Sequence, residues 1–157
     1  MNPGRVGHRY APYRYEVCRE KVREYALATG GQDPVYTADP ADVPPEEVVA
    51  PPTFAACFTV TRAAEVLVAD TELGAHPALI HSSQEYDFHR PVRVGDVLEC
   101  TPWIADIVSR TRVELLTLQV DCVDAGTKDP VVTGRGSLVF LTGSVAGSRG
   151  ETNHAPP

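Results

Sequence analysis

Val49-Ala50-Pro51-Pro52-Thr53-Phe54-Ala55-Ala56-Cys57-Phe58 opens the run that decides the fold, and an apolar segment continues from it to Asp70. Two prolines cannot sit inside a helix, but they can precede one or form its first turn. Behind them Phe54, Cys57, Phe58, Thr61, Ala64, Leu67 and Val68 recur at helical spacing, and only Arg62 and Glu65 are clearly polar. A helix that is apolar nearly all round is a buried one. About seventeen residues carrying those charges are too short and too polar to span a bilayer, so a central core helix is expected and no membrane partner.

C-terminal to this helix the pattern changes. Residues 79–90, 97–108, 111–124 and 131–141 alternate with period two or carry β-branched runs, the signature of strands. In the third, Leu116, Leu118, Val120 and Cys122 share one face and Thr117, Gln119 and Asp121 the other, which suits an antiparallel sheet with one face on a core. Turns are expected at Val94-Gly95-Asp96 and Asp124-Ala125-Gly126. Pro102, inside the second strand, marks a bulge or an edge. A long apolar helix followed by such a meander is satisfied when the sheet curls round the helix, an α+β arrangement known as the hot dog fold. Other α+β sandwiches meet the same pattern.

Upstream, Tyr10, Tyr13, Tyr15 and Val17 read as an extended arm, and Cys18, Val22, Tyr25, Ala26 and Thr29 form one stripe of a helix that Gly30-Gly31 ends. Residues 32–48 hold four prolines and five acidic residues, a long irregular loop of the kind that often packs over a site. The division expected is a loose N-terminus over 1–9, one domain over 10–142 and a disordered polar tail over 143–157.

The chain of 157 residues is the size of a single domain. A net charge of −7 and a pI near 5.1 argue against a nucleic-acid partner. Cys18, Cys57, Cys100 and Cys122 are widely spaced without a C-x-x-C, and the N-terminus lacks a signal-peptide pattern, so reduced thiols and a cytoplasmic location are expected. Metal-ligand spacing is missing, and neither a metal nor a cofactor is expected.

Three segments together are similar to the MaoC-like dehydratases: Tyr15-Glu16-Val17-Cys18-Arg19-Glu20-Lys21-Val22-Arg23-Glu24-Tyr25; Ala50-Pro51-Pro52-Thr53-Phe54; and Ile80-His81-Ser82-Ser83-Gln84-Glu85-Tyr86-Asp87-Phe88-His89-Arg90-Pro91-Val92 followed by Gly95-Asp96. The resemblance runs from about residue 7 to 141. It points to the N-terminal-type half of that family, which includes accessory subunits of (3R)-hydroxyacyl-ACP dehydratases. It implies the hot dog fold and an acyl-thioester ligand carried on CoA or acyl carrier protein. It also implies a hetero- or homodimer with another hot dog subunit.

Catalytic members of the family resemble one another in a loop reading small-Gly-Asp-x-Asn-Pro-aliphatic-His, whose aspartate and histidine activate water at a C2–C3 double bond. A backbone N–H at the start of the central helix polarises the thioester carbonyl. Here the loop is Thr29-Gly30-Gly31-Gln32-Asp33-Pro34-Val35-Tyr36. With Pro34 in register, Gly31 stands where the aspartate should be, Asp33 at the asparagine and Tyr36 at the histidine. Glycine moves no proton, and a phenol of pKa near 10 is a poor base at neutral pH. Pro52 replaces the glycine of the helix entrance and has no N–H to donate.

No catalytic residue is therefore assigned, and Asp33 and His81 are the weak candidates left. For Asp33 the simpler role is an Asx turn beside Pro34. His81 and His89 are too far apart to share a metal or a proton, roughly 26 Å if the strand is regular. His81 by itself can reach an acyl-thioester cleft, whereas His89-Arg90 can position the turn or meet a phosphopantetheine. Glu65, the carboxylate a hot dog thioesterase would want on this helix, reads more simply as a solvated residue. Tyr36, Thr53, Phe54, Phe58 and His81 are the expected substrate-binding set, with loop 32–48 as a cap over the tunnel. The expected function is that of a non-catalytic, tunnel-forming subunit paired with a catalytic hot dog partner. The alternative is a stand-alone homodimeric hydratase, thioesterase or acyl-thioester binder.

Overall fold

In the computed structural model, residues 1–31, 33–37, 43–44, 47–75 and 79–141 are described. The polar tail over 143–157 and residues 32, 38–42 and 45–46 of loop 32–48, with the roles expected of them, lie outside the described residues. Five strands, β1 (Tyr13–Glu16), β2 (Leu79–Phe88), β3 (Val97–Ser109), β4 (Val113–Asp124) and β5 (Pro130–Leu141), form one antiparallel sheet in the order β1-β3-β4-β5-β2. The helices are α1 (Arg19–Ala28), the single turn α2 (Pro34–Thr37), α3 (Ala56–Thr59) and α4 (Thr61–Ala69).

The expected core helix is present over Pro52–Ala69, but it begins as a 3₁₀ turn, Pro52–Ala55, and is interrupted at Val60. Thr59 supplies a cause. Its hydroxyl donates back to the Ala55 carbonyl at 2.8 Å, a bond that competes with the helical ladder and bends it. The run has the length and apolar content of a membrane span, with mean hydropathy 1.2. Its Phe54, Phe58 and Ala63 are nonetheless fully buried against the sheet. The expectation of burial nearly all round needs correcting, because only one face is covered and Val68 is 82% exposed. Among the described residues none buries the Val68 side chain.

Alternation sets the sheet's inner face. Leu98, Cys100, Pro102 and Ile104 from β3, Leu116, Leu118, Val120 and Cys122 from β4, and Val132, Gly134, Gly136, Leu138 and Phe140 from β5 are buried, and their intervening neighbours are not. The sheet packs this face onto Phe54, Phe58, Ala63 and Leu67 of the central helix, so one contiguous core joins the two. Cys100 and Cys122 face each other across β3 and β4 as free thiols. The contact with Cys100 and burial push the Cys122 thiol up.

The turns form where expected. Gly95 takes φ +92° and Asp96 accepts from the Arg93 N–H, while Asp124 accepts from the N–H groups of Gly126 and Thr127. Pro102 has the edge role rather than a bulge. Its carbonyl accepts from Tyr10 N on the outer flank of β3, where β1 has already ended, and the β3 bulge falls later, between Ile104 and Asp106.

The N-terminus departs from expectation. Residues 1–9 are held: the Met1 ammonium pairs with Glu114, Asn2 N donates to Leu73 O, and Gly7 N and His8 O bond to Ile104. Arg9 bridges to Trp103 and lies 5.3 Å over its ring. Arg5 fixes the end of the central helix by donating to Asp70 from Nε and Nη2 at 3.1 and 2.7 Å, and Tyr10 donates to the same oxygen. The segment lacks periodicity because each residue answers a different local donor or acceptor, so amphipathic patterning could not reveal it.

Candidate functional site

Two places deserve a role by their position, the loop after α1 and a cleft between the central helix and β2–β5. Gly30, with φ +78°, ends α1 in a conformation that favours glycine. Gly31 N then donates to Ala26 O at 2.7 Å, and a Cβ on Gly31 would stand 3.1 Å from that same oxygen. The position that holds an aspartate in the resembling catalytic loops is thus tight against α1, and a side chain there needs a shift of a few tenths of an ångström. Asp33 is exposed and accepts from Val35 N at 3.0 Å, so its carboxylate caps α2. Tyr36 lies with Pro52, Phe88, His89 and Pro91 around a pocket of about 400 Å³ beside the helix entrance.

At that entrance Phe54 N donates to Pro51 O, and Tyr25 donates to Thr53 O at 2.9 Å, tying α1 to the first turn. Thr53 is exposed. Phe54 and Phe58, expected to line the tunnel, are instead fully buried core residues. Phe54 stacks edge-on to Tyr25 at 5.5 Å and Phe58 lies 5.2 Å from Tyr15, with no face left toward the pockets described here. Burial pushes the Tyr15 hydroxyl up to about 12.

Arg90 positions the turn rather than meeting an anion. Its guanidinium forks onto Asp96 at 2.7 and 3.1 Å and reaches Asp124 at 3.3 Å, and the Asp96 bonds raise its affinity for its proton. His89 sits 3.3 Å from the Thr133 hydroxyl, on the face opposite to buried Val132 and Gly134. His81 lies on the inner side. A bulge at Ser82 shifts the β2 register, so His81 and Gln84, three residues apart, both come over Gly136. The strand is therefore not regular between His81 and His89.

The cleft that His81 enters holds about 140 Å³ and is walled by Thr59, Val60, Ala64, Leu118, Val120 and Leu138. A second pocket of about 220 Å³ shares Ala64 and Leu79 with it and continues past Leu67 and Val68 to Phe140. The structure thus gathers His81 with Thr59 and Gln84, but leaves Asp33, Tyr36 and Thr53 at the entrance. Gln84, Thr59 and Gly136 were missed in the sequence, although Gly-Arg-Gly inside a strand signals a close approach of other atoms. Glu65 pairs with Arg62 at 3.5 Å in solvent. Among the described residues no three His, Cys, Asp or Glu side chains gather in a way that could hold a metal ion.

Residues 5–133 match the family described as FAS1-like, dehydratase domain region. The chain belongs to this family. A UPF0336 protein of Saccharopolyspora erythraea is 34% identical over 140 residues, covering 85% of this chain and 87% of its own. Among solved structures, a MaoC-like dehydratase is 29% identical with a TM-score of 0.73, covering 88% of this chain. This chain spans only 42% of that one. A (3R)-hydroxyacyl-ACP dehydratase complex, HadBC of Mycobacterium tuberculosis, is 26% identical with a TM-score of 0.64, covering 83% and 92% of the respective chains. The fold is the hot dog fold, in a dehydratase and hydratase family.

Proposed function

We infer that this chain is a non-catalytic subunit of a (3R)-hydroxyacyl-thioester dehydratase, supplying part of the acyl cleft to a catalytic hot dog partner. The 31–36 loop carries this inference. A proton-transfer dyad needs two side chains aimed at one carbon, and here the aspartate position is Gly31, packed on α1, and the histidine position is the phenol of Tyr36, while Asp33 is engaged as a cap. Pro52 adds a third loss, since it offers no N–H to a thioester oxygen.

The expectation of a partner is supported by what is left open. β2 is an edge strand, and Leu79, Ile80 and Val68 are 41%, 53% and 82% exposed on or beside it. A second hot dog domain added along β2 covers them and closes the cleft that Leu79 and Val68 border. The similar HadBC structure is itself a complex.

Crotonyl-CoA hydration tests the inference, with the purified chain alone and mixed with a hot dog protein that carries an intact Gly-Asp-x-Asn-Pro-x-His loop and is encoded in a neighbouring reading frame. The expected result is no hydration by the chain alone and a stable, active complex with the partner. Robust hydration by the chain alone overturns the inference.

A further inference from the structure

The two pockets along the central helix are compartments of one cleft, and two rows of residues fix their order. On the helix, Val60, Ala64 and Val68 stand one above the other at i, i+4 and i+8, and the Ala64 N–H donates to Val60 O at 2.9 Å. On β5, Gly134, Gly136, Leu138 and Phe140 alternate onto the inner face. The compartment of about 140 Å³ lies between Val60, Ala64 and the stretch from Gly134 to Leu138. The compartment of about 220 Å³ lies between Ala64, Val68 and Phe140. Among the described residues, Ala64 and Leu79 are the side chains that line both.

Ala64 is the smallest residue of its row. Its neighbour Ala63 is fully buried in the core, whereas Ala64 is half-buried and borders open space. A larger side chain at 64 therefore grows into the passage between the compartments. The far compartment makes no polar demand on an occupant. Asp70 is on its wall, but that carboxylate already accepts from Arg5, Tyr10 and the N–H groups of Glu72 and Leu73. Leu67, Val68, Ala75, Leu79 and Phe140 complete the lining and are apolar. Thr59, His81 and Gln84 stand at the opposite end of the cleft, beside Gly134 and Gly136. A molecule with a polar head and an apolar tail is thereby oriented, with its tail running past Ala64.

The rows also give a scale. From Gly134 the strand advances roughly 14 Å to Leu138 and 20 Å to Phe140, at about 3.4 Å per residue. An extended hydrocarbon advances about 1.25 Å per carbon, so these depths match about eleven and about sixteen carbons.

We propose that Ala64 sets the acyl length this subunit takes: it lets a tail of more than about eleven carbons pass Leu79 into the second compartment, which is filled at about sixteen. This rests on the acyl-thioester reading above and adds a length and the residue that fixes it.

Calorimetric titration of the purified full-length chain tests it, with decanoyl-CoA and hexadecanoyl-CoA kept below their micellar concentrations. Hexadecanoyl-CoA is expected to bind at least about tenfold tighter, since burial of two of its extra methylenes already gives that much. Ala64→Phe fills the passage and is expected to bring the ratio of the two affinities to about one. Val68→Asp, at an exposed position on the rim of the far compartment, is expected to lower the same ratio and gives the reading if Ala64→Phe does not fold. A general loss of structure weakens both thioesters together and leaves the ratio as it was. A tenfold preference that survives Ala64→Phe, or Val68→Asp where the first variant does not fold, therefore overturns the proposal. Equal binding of the two thioesters by the parent chain overturns it as well and leaves the acyl-binding reading intact, whereas failure to bind either one overturns both.

Discussion

The loop after α1 and the cleft over β5 are both lined with residues of chemical potential, and they differ in what those residues are already doing. In the loop and at the helix entrance Gly31 closes onto Ala26, Asp33 caps α2 and Pro52 gives its ring to the first turn of the central helix, and only Tyr36 faces a pocket. In the cleft Gln84 and Tyr86 retain hydrogen-bonding capacity that the protein itself leaves unused. Two glycines lie at the centre of each contrast. Gly30-Gly31 lets a helix end and the chain pack down, whereas Gly134 and Gly136 let other side chains lie on a sheet. The chemistry of a position therefore follows from what its neighbours demand of it, and residue type alone does not settle it.

The largest effect is expected where the loop and the cleft share a foundation. Phe54 is fully buried between Tyr15, Tyr25 and Phe58, so it joins α1 to the sheet. Phe54→Ala is expected to cost about 3–5 kcal/mol, read as a fall in the urea unfolding midpoint. A cost under about 1 kcal/mol shows that the ring sits in a tunnel and not in the core. Asp70, at the far end of the same helix, comes next. Burial by itself raises this carboxyl, but hydrogen bonds from Tyr10 and Arg5 outweigh it and hold the carboxyl below its ordinary value. A lowered folded-state pKa gives stability that is present above the unfolded value of about 4 and is lost as pH falls through the folded one. Asp70→Asn is expected to cost about 1–2 kcal/mol at pH 7. In acid unfolding profiles the gap between variant and parent should close below pH 4, and a gap independent of pH counts against the Arg5–Asp70–Tyr10 clamp.

Smaller effects separate a structural from a chemical role in the loop. Asp33→Ala removes the cap of α2 and is expected to cost about 0.5–1 kcal/mol, while Asp33→Asn, which still caps, costs little. Neither is expected to change binding of an acyl thioester. If Asp33→Asn weakens binding or complex activity as Asp33→Ala does, the carboxylate itself is in use.

Much of this was legible in the sequence. The four long strands were foreseen to within a few residues, as was the buried face of Leu116, Leu118, Val120 and Cys122, because alternation of apolar side chains is what a half-covered sheet requires. The helix entrance was legible from Pro51-Pro52. What periodicity could not reach depended on single contacts: the ordered N-terminus, which rests on Arg5–Asp70 and on pairing to β3, and the Ser82 bulge that turns His81 and Gln84 to one side. Phe54 and Phe58 misled for another reason. Aromatic residues at a helix entrance can serve a core or a ligand, and only the rings packed round them decide which.

The smallest expected effect is the sharpest test of the contrast between loop and cleft. Gly31→Asp with Tyr36→His writes the family's dyad back into the loop, and the expected gain in crotonyl-CoA hydration is nil. Three features of the fold stand against recovery. The new side chain at position 31 begins 3.1 Å from Ala26 O, so α1 or the loop must shift before the carboxylate can be aimed. Asp33 stays bound to Val35 N, holding α2 in its present register. Pro52 remains at the helix entrance, and the absence of its N–H removes a stabilisation of the kind that costs about a hundredfold or more in rate when one oxyanion donor is lost. Adding Pro52→Gly to the pair restores that donor but leaves position 31 tight against Ala26 O. Hydration by the double variant at a rate near that of a catalytic relative would show that the loop is an idle active site and not a structural element; activity that appears only in the triple variant would assign the loss to the helix entrance.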